Sequence, residues 1–315
     1  MHSSARMTPV PGNRYDPAVL VATGGMSKVY WAEDRDSGLP VALKIVAAEG
    51  DDPALACLEN EAHVLTHLEV FDDAPVAALV DRGERYLALE WVDGVPLPEW
   101  LARGRSAAEL LSVCRHVLAA LACLHRAGVT HGDLKPTNVL VRRATRTRSL
   151  DVVLIDFGLA VVDGDAVDTI VDDAITGTPA YMAPELFAGE ARTRRSDVYA
   201  AGALVYEILS GAPPFDGRDV TEVTTRQLLD PVVPLSLRCP ELGLPGEIDQ
   251  VVARALCKRP EDRPTDATAL AVAFDEAVAG LEEREDLAMR VARAPAADLP
   301  TAVAARVPLA SSVEP

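Results

Sequence analysis

His131-Gly132-Asp133-Leu134-Lys135-Pro136-Thr137-Asn138 opens a stretch that continues through Asp156-Phe157-Gly158 and closes at Ala183-Pro184-Glu185. It holds an acid able to take a proton, Asp133, with a lysine two residues on. It also holds an amide and a second acid, Asn138 and Asp156. A phosphoryl-transfer centre uses these groups: one to orient a hydroxyl, positive charge where negative charge develops, and hard oxygen donors for a divalent cation. Two β-rich runs, Val139-Leu140-Val141 and Val152-Val153-Leu154-Ile155, separate Asn138 from Asp156. Read as a hairpin, they aim both residues at one point. The connection from Arg142 to Ser149 carries four arginines and reads as an exposed basic loop. Asp163 to Thr178 is a long acidic loop, of the kind that is usually functional in a compact domain.

Upstream, the texture is that of strands. Val19 to Ala22 and Lys28 to Ala32 flank Gly24-Gly25, which predicts a hairpin whose tip offers backbone N–H groups to phosphate oxygens. Pro40 to Val46 reads as a buried strand with Lys44 inside it, facing opposite to Leu43 and Ile45. Such a lysine either snorkels to an edge or meets a partner. Pro53 to Leu68 reads as a helix, with Leu58, Glu61, Leu65 and Leu68 on one face. A carboxylate on an apolar stripe needs a partner, and Lys44 and Glu61 each account for the other. Val76 to Val80 and Arg85 to Trp91 complete five strands, and Asp93-Gly94 breaks the pattern.

Beyond that break the chain turns helical. Ala107 to Arg126 has a helical apolar period and Gly128 just past its end. Ser196 to Leu209 is apolar enough for a central buried helix, and further helices are expected near Gly246 to Cys257 and Thr265 to Arg284. The tail from about Asp286, rich in Ala, Pro and Val without a period, reads as disordered.

Composition narrows the class. A net charge of −18 over 315 residues argues against binding nucleic acid by neutralising phosphates. No apolar run reaches a membrane span. Five scattered cysteines without a Cys-x-x-Cys pair read as reduced thiols, which fits the cytoplasm.

In this order, from Tyr15 to about Glu283, the chain resembles the bacterial eukaryotic-like Ser/Thr protein kinases. The resemblance implies an α+β, two-lobed kinase fold: a small antiparallel-sheet lobe with one main helix over residues 15–92, and a mainly helical lobe over 93–284. An irregular segment, 1–14, precedes them and the tail, 285–315, follows. It implies Mg-ATP, with Mn as an alternative metal, and transfer of the γ-phosphoryl to Ser or Thr hydroxyls of proteins, the chain itself included.

The residue roles follow by resemblance. Val21, Ala22, Gly24, Gly25 and Ser27 match the glycine-rich loop, with Ala22 and Ser27 standing where the pattern has glycine. Val29 and Ala42 would roof the adenine, Leu140 would floor it, Leu89 would be the gatekeeper, and Glu90 to Val92 the hinge. Lys44 and Glu61 would hold the phosphates as a pair, and Asn138 and Asp156 the metal. Asp133, Lys135 and Thr178 would form the transfer machinery. Glu185 would pair with Arg263, and Asp197 would brace the catalytic loop.

Two departures matter. The usual catalytic-loop sequence is His-Arg-Asp, and its arginine gathers an activation-loop phosphate. Here Gly132 stands in its place, and Asp172-Asp173 stand where many relatives carry phosphorylatable threonines. These predict an enzyme that does not depend on activation-loop phosphorylation. Regulation would come from a partner, the tail or homodimerisation of the small lobe, or be absent. Two other readings compete: a nucleotide-binding pseudokinase, and a small-molecule phosphotransferase sharing His-Gly-Asp. Intact Lys44, Asp133, Asn138 and Asp156 speak against the first. Thr176 to Glu185, a protein-docking sequence, speaks against the second.

Overall fold

The computed structural model describes residues 14–25, 27–46, 52–71, 73–142, 150–165, 179–279 and 290–291. Five antiparallel strands come first: β1 (Tyr15–Thr23), β2 (Lys28–Asp34), β3 (Pro40–Ile45), then, after helix α1 (Asp52–Leu68), β4 (Leu79–Gly83) and β5 (Tyr86–Glu90), in the order β1-β2-β3-β5-β4. Strand alternation sorts their side chains. Ala32, Val41, Leu43, Ile45 and Ala88 close a small cluster with Tyr15 on one face. The pairs Val29↔Lys44, Ala42↔Leu89 and Lys44↔Leu87 put the expected cleft residues on the other. On that face Leu87 and Leu89 join Leu58, Ala62 and Leu65 of α1 in the core that continues into the larger lobe.

The chain then passes through β6 (Gly94–Pro96), α2 (Leu97–Leu101) and β7 (Arg105–Ser106) into α3 (Ala107–Arg126). Ser106 and Glu109 start α3 with a reciprocal capping box, and Gly128, at φ 78°, turns the chain away after it. Among the described residues α3 is the one helix long and apolar enough to cross a membrane, but Leu110, Val113, Cys114, Val117, Leu121 and Leu124 are all fully buried in the core. Next come β8 (Val129–Thr130), β9 (Val139–Arg142), β10 (Asp151–Leu154) and β11 (Val161–Val162). β9 and β10 pair as the hairpin expected, with β6 added as a third strand, and β11 pairs with β8.

Helix α4 (Arg194–Ser210) runs through the centre of the larger lobe, with a Thr193–Ser196 capping box at its start and Gly211 at φ 84° ending it. At Gly202 a Cβ would lie 2.7 Å from the Cβ of Ala255, so glycine permits the close crossing of a neighbouring helix. That neighbour is α7 (Gly246–Ala255), preceded by α5 (Val220–Leu229) and α6 (Leu235–Arg238) and followed by α8 (Ala267–Val278). A two-residue strand, β12 (Arg290–Val291), pairs with β7. The rest of the tail, the connection 143–149 and the acidic segment 166–178 lie outside the described residues.

Some expectations are corrected. The strand placed at Val76 to Val80 begins at Leu79. Val76 instead bridges Leu154 of the larger lobe, and Leu154 N donates to Pro75 O at 2.8 Å. The helix placed from Thr265 to Arg284 begins after Asp266, whose carboxylate accepts from Ala269 N, and is described to Val278. The short α2, α5 and α6 were not read from the sequence.

Candidate active site

The sheet face and α1 converge on Lys44. Its Nζ donates to Glu61 Oε2 at 2.5 Å and to Asp156 Oδ1 at 2.8 Å. Burial pulls the Lys44 ammonium down, but Glu61 and Asp156 outweigh it and hold its pKa above the ordinary range. Burial pushes the Glu61 carboxyl up against the pull of Lys44. Burial also opposes ionisation of Asp156, yet Lys44 outweighs it and holds Asp156 below the usual carboxylate range. Asp156 itself sits at φ 70°, a left-handed conformation that aspartate tolerates better than most residues. The next residues hold it there. Phe157 N donates to Glu61 Oε1 at 3.4 Å, and the Phe157 ring packs on His131 with centroids 5.0 Å apart.

The catalytic loop is braced from below. Asp197, at the start of α4, accepts from His131 N at 2.7 Å and from Gly132 N at 2.9 Å. His125 Nδ1 accepts from Ala267 N at 3.0 Å, which leaves Nε2 to donate to Asp197 Oδ2 at 3.0 Å. Burial works against the Asp197 carboxylate, but His125 and the Gly132 amide help hold its pKa down. Above this platform Lys135 Nζ meets Asp133 Oδ2 at 2.6 Å, and Asn138 Nδ2 donates to Asp133 O at 2.9 Å. Burial raises the Asp133 carboxyl above its ordinary value despite Lys135.

The donor set suits a hard cation. Asn138 spends its NH₂ on Asp133, so its carbonyl oxygen is the end left for a metal, and the Asp156 side chain is 42% accessible. No group of three or more His, Cys, Asp or Glu is arranged to hold a metal ion among the described residues. Two protein oxygens, with phosphates and water completing the shell, is how Mg²⁺ is usually held. Among the cleft residues, the β1–β2 turn closes through Gly24 N to Ser27 O at 2.8 Å. Val21, Ala22, Gly24 and Gly25 are exposed, and a Cβ at Gly25 would meet nothing within 4 Å. Ala42 and Leu140 are half-buried against the core, Leu89 and Val92 are buried, and Glu90 N donates to Ala78 O. Thr178 lies outside the described residues.

A model of the protein kinase domain matches residues 15–274. The chain belongs to the protein kinase family. Its curated relatives include the serine/threonine-protein kinase PknL of Mycobacterium bovis, 36% identical over 90% of this chain and 69% of its own length. PknD of Mycobacterium tuberculosis is 33% identical over 88% of this chain and 42% of its own length. A probable serine/threonine-protein kinase of Streptomyces coelicolor is 34% identical over 85% and 40%. The chain thus spans about two fifths of the length of several relatives it matches. The family uses ATP and a divalent metal.

Three polar residues of this kinase site were not found from the sequence. Asn60, beside Glu61, donates from Nδ2 to Phe157 O, Gly158 O and Ala160 O at 3.2, 3.2 and 2.9 Å. Its position next to a buried glutamate was the available signal. His125 lay hidden in an apolar helix. Arg192 lies ahead of α4, and its Nε donates to Gly132 O at 3.2 Å. No local pattern marks it. The ion pair expected between Glu185 and Arg263 is present and bidentate, with both contacts at 2.7 Å.

Proposed function

We propose that this chain is a protein serine/threonine kinase that transfers the γ-phosphoryl of Mg-ATP, or Mn-ATP, to protein hydroxyls, its own included. The single observation that carries this reading is that Lys44, paired with Glu61 in the small lobe, reaches Asp156 of the larger lobe, which also carries the Asp133–Lys135–Asn138 cluster. In this reading Lys44 binds phosphate oxygens and Glu61 keeps it aimed. Asn138 and Asp156 would hold the metal, which when bound neutralises phosphate charge. Val29, Ala42, Leu89 and Leu140 enclose adenine between the lobes. The Glu90 amide is already engaged, so the hinge offers the Glu90 carbonyl and the Val92 amide to its edge. Asp133 accepts the proton of the acceptor hydroxyl, and its raised pKa makes it a better base than an exposed aspartate. Lys135 and Thr178 steady the transferred group.

Partners in this reading are serine- and threonine-bearing proteins and, for regulation, a second copy of the chain. The charge of −18 and the free cysteines support a cytoplasmic enzyme that binds no nucleic acid. Independence from activation-loop phosphorylation is supported by Gly132 and Asp172-Asp173.

Labelled ATP with a basic protein acceptor tests both parts. The parent chain is expected to label the acceptor and itself, and Asp133→Asn to lose at least about a hundredfold in rate. Transfer to a small alcohol but to no protein would instead favour the small-molecule enzyme, and no transfer at all the pseudokinase. Replacing Thr169 and Thr176 together by alanine is expected to leave the rate within about tenfold, or roughly 1.4 kcal/mol of barrier. A larger loss would mean that the usual switch is retained.

A further inference from the structure

We propose that Arg192 is a positioning residue for the catalytic base, a cation brought from the segment ahead of α4 into the space that Gly132 leaves beside Asp133. The proposal rests on Asp133 being that base. Gly132 sits at φ 77°, and with no side chain it is the freest hinge in the loop that carries Asp133. A general base works only while its carboxylate stays within hydrogen-bond reach of the proton it takes, so this freedom has to be removed. It is removed from both sides. Asp197 Oδ1 accepts from the Gly132 N–H at 2.9 Å, and Arg192 Nε donates to the Gly132 carbonyl at 3.2 Å. An anion and a cation thus hold the two polar groups of one glycine, and the peptide that leads into Asp133 is fixed.

The two residues are matched sterically. A Cβ at position 132 would stand 2.7 Å from Arg192 Cδ and 2.4 Å from Leu159 O. The stem of Arg192 therefore lies where a side chain at 132 would begin. Burial pulls the pKa of the Arg192 guanidinium below its ordinary value, and the charge of Asp133 opposes that pull. Arg192, Asp133, Tyr181 and Met182 line one small cavity. The positive charge beside Gly132 comes from 60 residues further along the chain.

The test uses the full chain with ATP and a basic protein acceptor, comparing Arg192→Met, Arg192→Lys and Asp133→Asn with the parent. We expect Arg192→Met to lower kcat at least tenfold with the KM for ATP within twofold, and Arg192→Lys, which keeps the charge, to recover most of kcat. A Met variant within twofold of the parent, or Lys and Met variants equally impaired, overturns the proposal, because the side chain then only fills space. If thermal unfolding shows that the Met variant does not fold, the Lys variant decides. A kcat within threefold of the parent supports the proposal, and a folded Lys variant down tenfold overturns it. An Asp133→Asn chain as active as the parent is a different failure. It removes Asp133 as the base, and Arg192 with it, whatever the Arg192 variants show.

Discussion

Asp156 illustrates what single side chains contribute here. Its left-handed backbone is less favourable than an ordinary conformation, and it persists because neighbours leave it no alternative. Lys44 holds the carboxylate, and Asn60 holds the three carbonyls that follow at Phe157, Gly158 and Ala160. One NH₂ has two protons for three acceptors, so the bonds are shared and not additive. Asn60→Ala is expected to cost about 1–2 kcal/mol of stability, typical of removing one or two such bonds. It should also lower kcat about tenfold, since a small misplacement of a metal-holding aspartate is felt in the rate. Thermal unfolding and steady-state kinetics measure the two effects separately. An unchanged kcat would mean that the contacts of Lys44, Glu61 and His131 set the Asp156 conformation without Asn60.

At the scale of elements, α5 differs most from its sequence. Val220-Thr221-Glu222-Val223-Thr224-Thr225 is rich in β-branched residues of modest helix propensity, and Val220, Leu228 and Leu229 are exposed, so no apolar stripe announces a helix. Tertiary contacts hold it. Lys258 Nζ donates to the backbone oxygen of Gln227 at 2.5 Å while lying 4.0 Å from the Phe215 ring. Burial pushes the Lys258 amine down to about 8. The unfolded value is roughly 10.4. Below pH 8 both states carry the proton, so the cost of burying the charge is fully present. Between about pH 8 and 10.4 the unfolded chain binds more protons than the folded one, and stability rises with pH. The full shift would give roughly 3 kcal/mol, and solvent screening at this partly exposed side chain reduces it to about 1 kcal/mol. Lys258→Met should therefore flatten the rise in urea-unfolding stability between pH 8 and 10 relative to the parent. Equal slopes for the two proteins would show that this amine titrates normally.

For the whole molecule, legibility followed the range of the contacts. The strand containing Lys44, the helix containing Glu61 and the β9–β10 hairpin are written in local periods of two and of three to four, and the structure forms each of them. Val76 belonged to an apolar run that reads equally well as a strand, and only Leu154, in the other lobe, takes it out of the sheet. Arg192 reaches Gly132 through a fold that no window of sequence contains. The Glu185–Arg263 pair lies between these cases, visible only through the family resemblance because 78 residues separate its members. In the structure it joins the stretch after the acidic loop to the segment between α7 and α8. The Arg263 side chain is fully buried, and besides Glu185 it donates to the carbonyls of Cys257, Arg195 and Lys258. Removing the arginine leaves a buried carboxylate and three carbonyls without their donor, and breaking such a pair costs about 3–5 kcal/mol. Folded domains hold only about 5–15 kcal/mol in total. Arg263→Met is therefore expected to lower Tm by on the order of 10 °C, at about 2–4 °C per kcal/mol for a domain of this size. Adding Glu185→Met should restore part of that loss, because the double variant no longer buries an uncompensated charge. A double variant less stable than Arg263→Met alone would show that the carboxylate has another source of stabilisation and that the pair is not the joint between these segments.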